Sequence, residues 1–169
     1  RNSQHQDEPS ADLRSPINLR TSILFLFVFG ITISLAGVDW IMALEPMWFS
    51  TMWGVYQFSG LITATLAAMV IACVTLRRLG PLDGVFRTDH LHDLGKLLVG
   101  FSCFWMYIWF SQYMLIWYAN IPEETSYFLT RMRGPWAPIV VGSIVLNWAI
   151  PFFALLPRPC KRSESVMLK

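Results

Sequence analysis

Residues 48–76 read WFSTMWGVYQFSGLITATLAAMVIACVTL, a run with no Asp, Glu, Lys, Arg or His. A helix rises about 1.5 Å per residue, so this run is longer than the ~30 Å hydrocarbon layer of a bilayer. Backbone amides in lipid meet no water and have to be satisfied within the segment, as a helix does. Outward from this run, residues 21–44, 97–119 and 136–156 have the same character. Hydrophobic residues make up 54% of the 169 and charged residues 14%, where a soluble domain carries about 25% charge. The expected fold class is all-α, a polytopic transmembrane helix bundle. Four spans occupy residues 19–157, between a polar segment at 1–18 and a basic segment at 158–169.

The charges fall on alternate sides of these runs. Eleven of the thirteen Lys and Arg lie before the first span, between the second and third, or after the fourth. They are Arg1, Arg14 and Arg20, then Arg77, Arg78, Arg87 and Lys96, then Arg158, Lys161, Arg162 and Lys169. Arg131 and Arg133 lie between spans three and four, near Glu123 and Glu124. The positive-inside rule puts both ends and the middle loop in the cytoplasm, with the Glu45-Pro46 turn and the loop at 120–135 facing outward. The expected location is a bacterial inner membrane. The chain begins at Arg1 and stops where a basic loop would enter another helix, so it reads as a piece of a longer polytopic protein.

Local signals refine the spans. Pro46 ends the first one, and the few residues that follow make spans one and two an antiparallel hairpin. Gly60, Ala64, Ala68 and Ala72, four residues apart, read as a smooth stripe for close helix packing. Asp83-Gly84 is a turn signal, and Thr88 or Asp89 is placed to cap the third helix. Span three carries Gly100, Cys103, Tyr107, Ser111, Met114 and Tyr118 on one moderately polar face, with Trp105, Trp109, Gln112 and Ile116 roughly opposite. Pro151 cannot donate to the carbonyl of Asn147, so a kink is expected in span four. Trp40, Trp48, Trp53, Trp117, Tyr118 and Trp136 gather near the outer ends, as an aromatic belt does.

Few residues invite chemistry. His5, His90 and His92 lie outside the apolar runs, which argues against a two-histidine haem site. Cys73, Cys103 and Cys160 are far apart and read as small apolar residues, without metal-ligand spacing. No phosphate-binding lysine loop, HExxH or nucleophile elbow is present. No metal site is expected, and nucleic acid is not an expected partner. The notable groups are polar ones at membrane depth. Asp39 lies about 8 Å of helix rise before Leu44, where a carboxylate is costly unless paired, protonated or wet. It and Glu45 read either as proton-exchange or head-group sites or as a solvated cap. Gln57 and Gln112 suit either a quinone carbonyl or an interhelical hydrogen bond, and Tyr107 joins them as a quinone-binding candidate. Glu123 and Glu124 after Pro122 are candidates for a proton path. So are His92, Asp93 and Lys96 at the opposite surface, because His titrates near neutral pH. For each, a solvated or capped helix end is the competing reading.

Two strings carry a resemblance. One runs Asp39-Trp-Ile-Met-Ala-Leu-Glu45-Pro-Met-Trp48-Phe-Ser-Thr51-Met-Trp-Gly54. The other is His92-Asp-Leu-Gly-Lys96, followed by Tyr107-Ile-Trp-Phe-Ser-Gln112-Tyr-Met-Leu-Ile-Trp-Tyr-Ala-Asn120-Ile-Pro-Glu-Glu124-Thr. Over residues 19–161 the chain resembles the quinone-binding membrane subunits of alternative complex III, the second of the two paralogues most closely. These belong to the polysulfide-reductase-type membrane-subunit superfamily. Met47 departs from the pattern, since many relatives have a polar residue there.

The resemblance implies about ten transmembrane helices in the whole protein. It implies a complex that oxidises quinol (menaquinol or similar) and passes electrons to a cytochrome c or another acceptor. The implied partners are the paralogous quinone-binding subunit, an iron–sulfur subunit, multihaem cytochrome c subunits and lipid. Iron–sulfur clusters and haem c would sit on those partners, and this chain would bind no cofactor of its own. The implied role is a quinone-facing or proton-conducting helix bundle within an oxidoreductase. A purely structural subunit of that complex, or a piece of a secondary transporter, are the alternatives.

Overall fold

The structure is a computed structural model that describes residues 11–82 and 86–157, without the side chains of residues 11–17. The Asp83-Gly84 turn, Cys160 and the basic segment 158–169 lie outside the described residues, as does the start of the polar segment. The described residues are 86% helical, with no strand among them. Among them four helices are long and apolar enough to cross a membrane, as an integral multi-pass membrane protein requires: Asn18–Leu44, Trp53–Arg78, Thr88–Ala119 and Gly134–Leu155.

The first span is helix α1 (Ala11–Ala36), continued by a π-helical turn at Gly37–Ile41 and a 3-10 turn at Met42–Leu44. Pro46 has no N–H to extend it. The backbone then folds back, with the Glu45 N–H on the Met42 carbonyl at 3.0 Å and the Trp48 N–H on that of Glu45 at 3.0 Å. Helix α2 (Trp53–Arg78) starts only at Trp53, so Trp48–Met52 belongs to the turn rather than to the span. Helix α3 (Thr88–Ala119) includes the polar residues before its apolar part. Arg87, not Thr88 or Asp89, takes its capping position, and the Arg87 N–H donates to Nδ1 of His90 at 3.2 Å.

The segment after span three is a helix, not the loop expected. Asn120 ends α3 in the left-handed region (φ 51°), which asparagine tolerates better than most residues. Pro122 then occupies the first turn of helix α4 (Pro122–Met132), where its missing N–H costs nothing. Glu123 and Glu124 in the first turn and Arg131 in the last suit the helix dipole. The fourth span follows as a 3-10 turn at Gly134–Trp136, helix α5 (Ala137–Ile144), a π-helical turn at Val145–Ala149 and helix α6 (Ile150–Leu155).

Helices α2 and α3 form the centre: 28% of the apolar window of each is buried, against 6% for spans one and four. Span one packs on α2 and span four on α3. Leu66, Leu98 and Leu155 make one buried cluster, and Val70, Val74 and Leu91 another. The stripe that packs is not the one expected. Gly60 is half-buried and Ala64, Ala68 and Ala72 are exposed, whereas Ser59, Thr63, Leu66, Val70 and Val74 are buried. The reason is periodicity. At about 100° per residue, steps of four from 60 to 72 drift about 120° around the helix. Mixed steps of four and three from 59 to 74 drift only about 60°.

Proline 151 leaves a problem that the neighbouring helix solves. The Asn147 carbonyl, which loses its donor to the ring, accepts a hydrogen bond from Oγ of Ser102 on α3. Ser102 is wholly buried. Neighbouring hydroxyls commonly repair spans in this way. Ser102→Ala is expected to destabilise the protein by about 1–2 kcal/mol, measured as the unfolding midpoint in mild detergent. An unchanged midpoint would show that water or backbone relaxation satisfies that carbonyl instead.

Candidate functional site

Glu45, Glu123 and Glu124 all lie at one end of the bundle, the acidic end, where α4 folds over the turn between spans one and two. The Glu45 carboxylate is 3.4 Å from the Arg131 guanidinium. That guanidinium sits 3.5 Å over the Tyr127 ring. Tyr127 stacks on Trp48, with centroids 3.8 Å apart and planes 13° from parallel. Trp48 in turn meets Trp53 edge to face at 5.3 Å. The Trp53 indole N–H donates to the Gly37 carbonyl in the first π-helical turn at 3.1 Å. Burial pushes the Tyr127 hydroxyl above its ordinary pKa, against the opposing pull of Arg131. Glu45 is thus held in a clasp and Asp39 is not. Asp39 is exposed, with no ion pair or hydrogen bond among the described residues.

The expected aromatic belt therefore divides. Trp40, Trp117, Tyr118 and Trp136 are exposed, while Trp48 is buried and Trp53 half-buried inside the clasp. Sequence reasoning missed Tyr127, Phe128 and Arg131. The signal that could have found them was the helix pattern of α4, which sets Tyr127 and Arg131 against the turn and Phe128 against Trp109 and Tyr113 of α3.

Gln112 is the point where the acidic end offers space. Its Oε1 accepts from Oγ of Ser50 at 2.9 Å, which ties α3 to the turn. On one side it borders a pocket of about 40 Å³ walled by Trp48, Trp109, Tyr127 and Phe128. That volume suits one or two waters, not a ring. On the other side Gln112 borders an open groove of about 210 Å³ with Ser50, Thr51, Leu115 and Glu124. A hydrogen-bonding amide and a half-buried carboxylate, predicted separately from the sequence, thus meet at one groove. Glu123 points away and is exposed.

Gln57 lies elsewhere. It borders a cleft of about 530 Å³ between spans one and four, floored by α2 and α3. Tyr107 borders neither space and is 65% exposed on the face of α3 away from α2. The three quinone-binding candidates are therefore not one site.

At the opposite, basic end, His92, Asp93 and Lys96 are together. Lys96 Nζ is 2.7 Å from the Asp93 carboxylate, and His92 Nδ1 is 4.0 Å from it. Asp93 and Lys96 are more than half exposed, so the pair adds little stability. Helix α3 separates this cluster from Glu124 by its whole length.

Compared with models of known protein families and with curated proteins, the chain matches none of them.

Proposed function

We propose that this chain is a membrane subunit of a quinol-oxidising respiratory complex and that it presents a quinol-facing groove at its acidic end. The observation that carries this reading is the meeting of Gln112 and Glu124 at one open groove. Quinol oxidation releases two protons and two electrons. It therefore needs a hydrogen-bond partner for the hydroxyl, a base for the proton and an electron acceptor close by. With Oε1 of Gln112 held by Ser50, its amide N–H groups are left to orient a quinol oxygen. Glu124 is placed to take a proton toward the water at the surface. The electrons would pass to a metal centre on a partner subunit. The likeness of residues 39–54, 92–96 and 107–125 to the membrane subunits of alternative complex III supports the same reading.

The test uses the assembled complex. Glu124→Gln should lower quinol oxidation with an artificial acceptor by at least about a hundred-fold, the low end for loss of a general base. Gln112→Leu should raise KM for quinol more than it lowers kcat. Wild-type kinetics in both variants would remove the groove from the reaction.

The alternative of a purely structural subunit draws support from the exposed apolar faces of spans one and four, which suit packing against partner helices. A photoreactive quinone separates the two readings. An adduct near Gln112 supports the groove, and labelling confined to another subunit supports the scaffold.

A further inference from the structure

The cleft between spans one and four, about 530 Å³, is larger than either space at Gln112, and the reading above does not use it. Its walls are the Gly37–Ile41 turn on one side and the Asn147 turn on the other, the two π-helical turns among the described residues. Such turns widen a helix locally and frequently mark functional sites. Gly37 makes room for the cleft's one free amide. A Cβ at that position would stand 3.4 Å from Cγ of Gln57, so a larger residue would press on the Gln57 stem.

Three properties of the lining define what fits. First, no lining residue is charged, so the enclosed part of a ligand is neutral. Second, the polar side chains that span four contributes are engaged: the Asn147 amide donates to the Ser143 carbonyl and Ser143 Oγ to that of Val140. Gln57 has no hydrogen-bond partner among the described residues. Third, the cleft's unpartnered amide lies toward one end of its α2 floor: Gln57 is about 6 Å along α2 from its first residue, while Leu61 and Ala64 are about 12 and 16 Å along it. The glycerol ester of a membrane lipid lies at the edge of the hydrocarbon layer, with its acyl chain running inward.

We propose that this cleft holds an acyl chain of a glycerolipid, with the ester carbonyl accepting a hydrogen bond from the Gln57 amide. The chain runs past Gly60 and Leu61 to Ala64, between the two π-helical turns. Gly60 and Ala64 of α2 thereby form the floor of a lipid site. This does not depend on the quinol reading, since Gln112 and Glu124 border a different space.

The test is lipid binding to the delipidated protein in mild detergent, followed by native mass spectrometry. The probes are a diacyl phosphatidylcholine and its diether analogue, which keeps the chains and lacks the ester carbonyls. Wild type should retain the diacyl lipid about five-fold better, the worth of one hydrogen bond. Gln57→Leu should abolish that preference, and Ala64→Phe, which fills the floor, should reduce retention of both. Equal retention of the two lipids by wild type would overturn the proposal, and that measurement needs no variant to fold. So would a preference that survives Gln57→Leu. A prenylated quinone that displaces the diacyl lipid at equal concentration would reassign the cleft. Normal quinol kinetics in Gln112→Leu and Glu124→Gln would leave the lipid site standing.

Discussion

Alanine at Trp48 is expected to lower the stability of the protein by about 3–5 kcal/mol, the range for deleting a buried aromatic. Trp48 is 5% exposed, although it lies in a turn at the mouth of the bundle. Its loss removes the surface on which Tyr127 stacks and the edge contact with Trp53. What remains on α4 is the edge contact of Tyr127 with Trp53, those of Phe128 with Trp109 and Tyr113, and the partly exposed Arg131–Glu45 pair, which is worth little. The unfolding midpoint in mild detergent should fall, and proteolysis within residues 122–132 should quicken. Trp48→Phe provides the contrast. The indole N–H has no hydrogen-bond partner among the described residues, so a phenyl ring gives up area but no bond. Its cost should stay near 1 kcal/mol. Similar losses in both variants would mean that the indole N–H, not the stack, holds the clasp.

The second large effect is expected at Gly54. A Cβ there would lie 2.8 Å from the Ser34 Cβ and 3.1 Å from its Cα, well inside contact distance. Spans one and two touch backbone to side chain at this point, just below the clasp. Gly54→Val should therefore force the hairpin apart and cost about 3 kcal/mol, the upper range for overpacking. Gly54→Ala should cost less, and adding Ser34→Gly should recover part of it by removing the nearer atom. Thermal midpoints of the single and double variants measure this coupling. Strict additivity would place the strain somewhere other than the Ser34 contact.

What was legible in the sequence follows from what lipid demands. Runs of about twenty uncharged residues admit one backbone solution, so the helical bundle could be read directly. Details that depend on a partner could not. Trp48 and Trp117 look alike as interfacial tryptophans, yet only Trp48 has a Tyr127 folded over it. The Gly60 stripe satisfied a spacing rule while its four-residue step carried it off the packed face. Helix α4 was more legible than it was read to be. Asn120, Pro122, two glutamates and a closing Arg131 are a start and stop signal within 12 residues. The groove at Gln112 was half-legible. Gln112 and Glu124 were singled out, but their meeting depends on α4 turning back over α3, which no local pattern encodes.

The bond from Ser102 to the Asn147 carbonyl also bears on how the chain is built. A proline inside a span leaves one oxygen bare, and lipid cannot cover it. Span four therefore enters the bilayer incomplete and becomes comfortable there only when span three already stands alongside in register. The register of the two spans is thereby tied to a single hydroxyl, and sliding the fourth span by one residue would uncover the oxygen again.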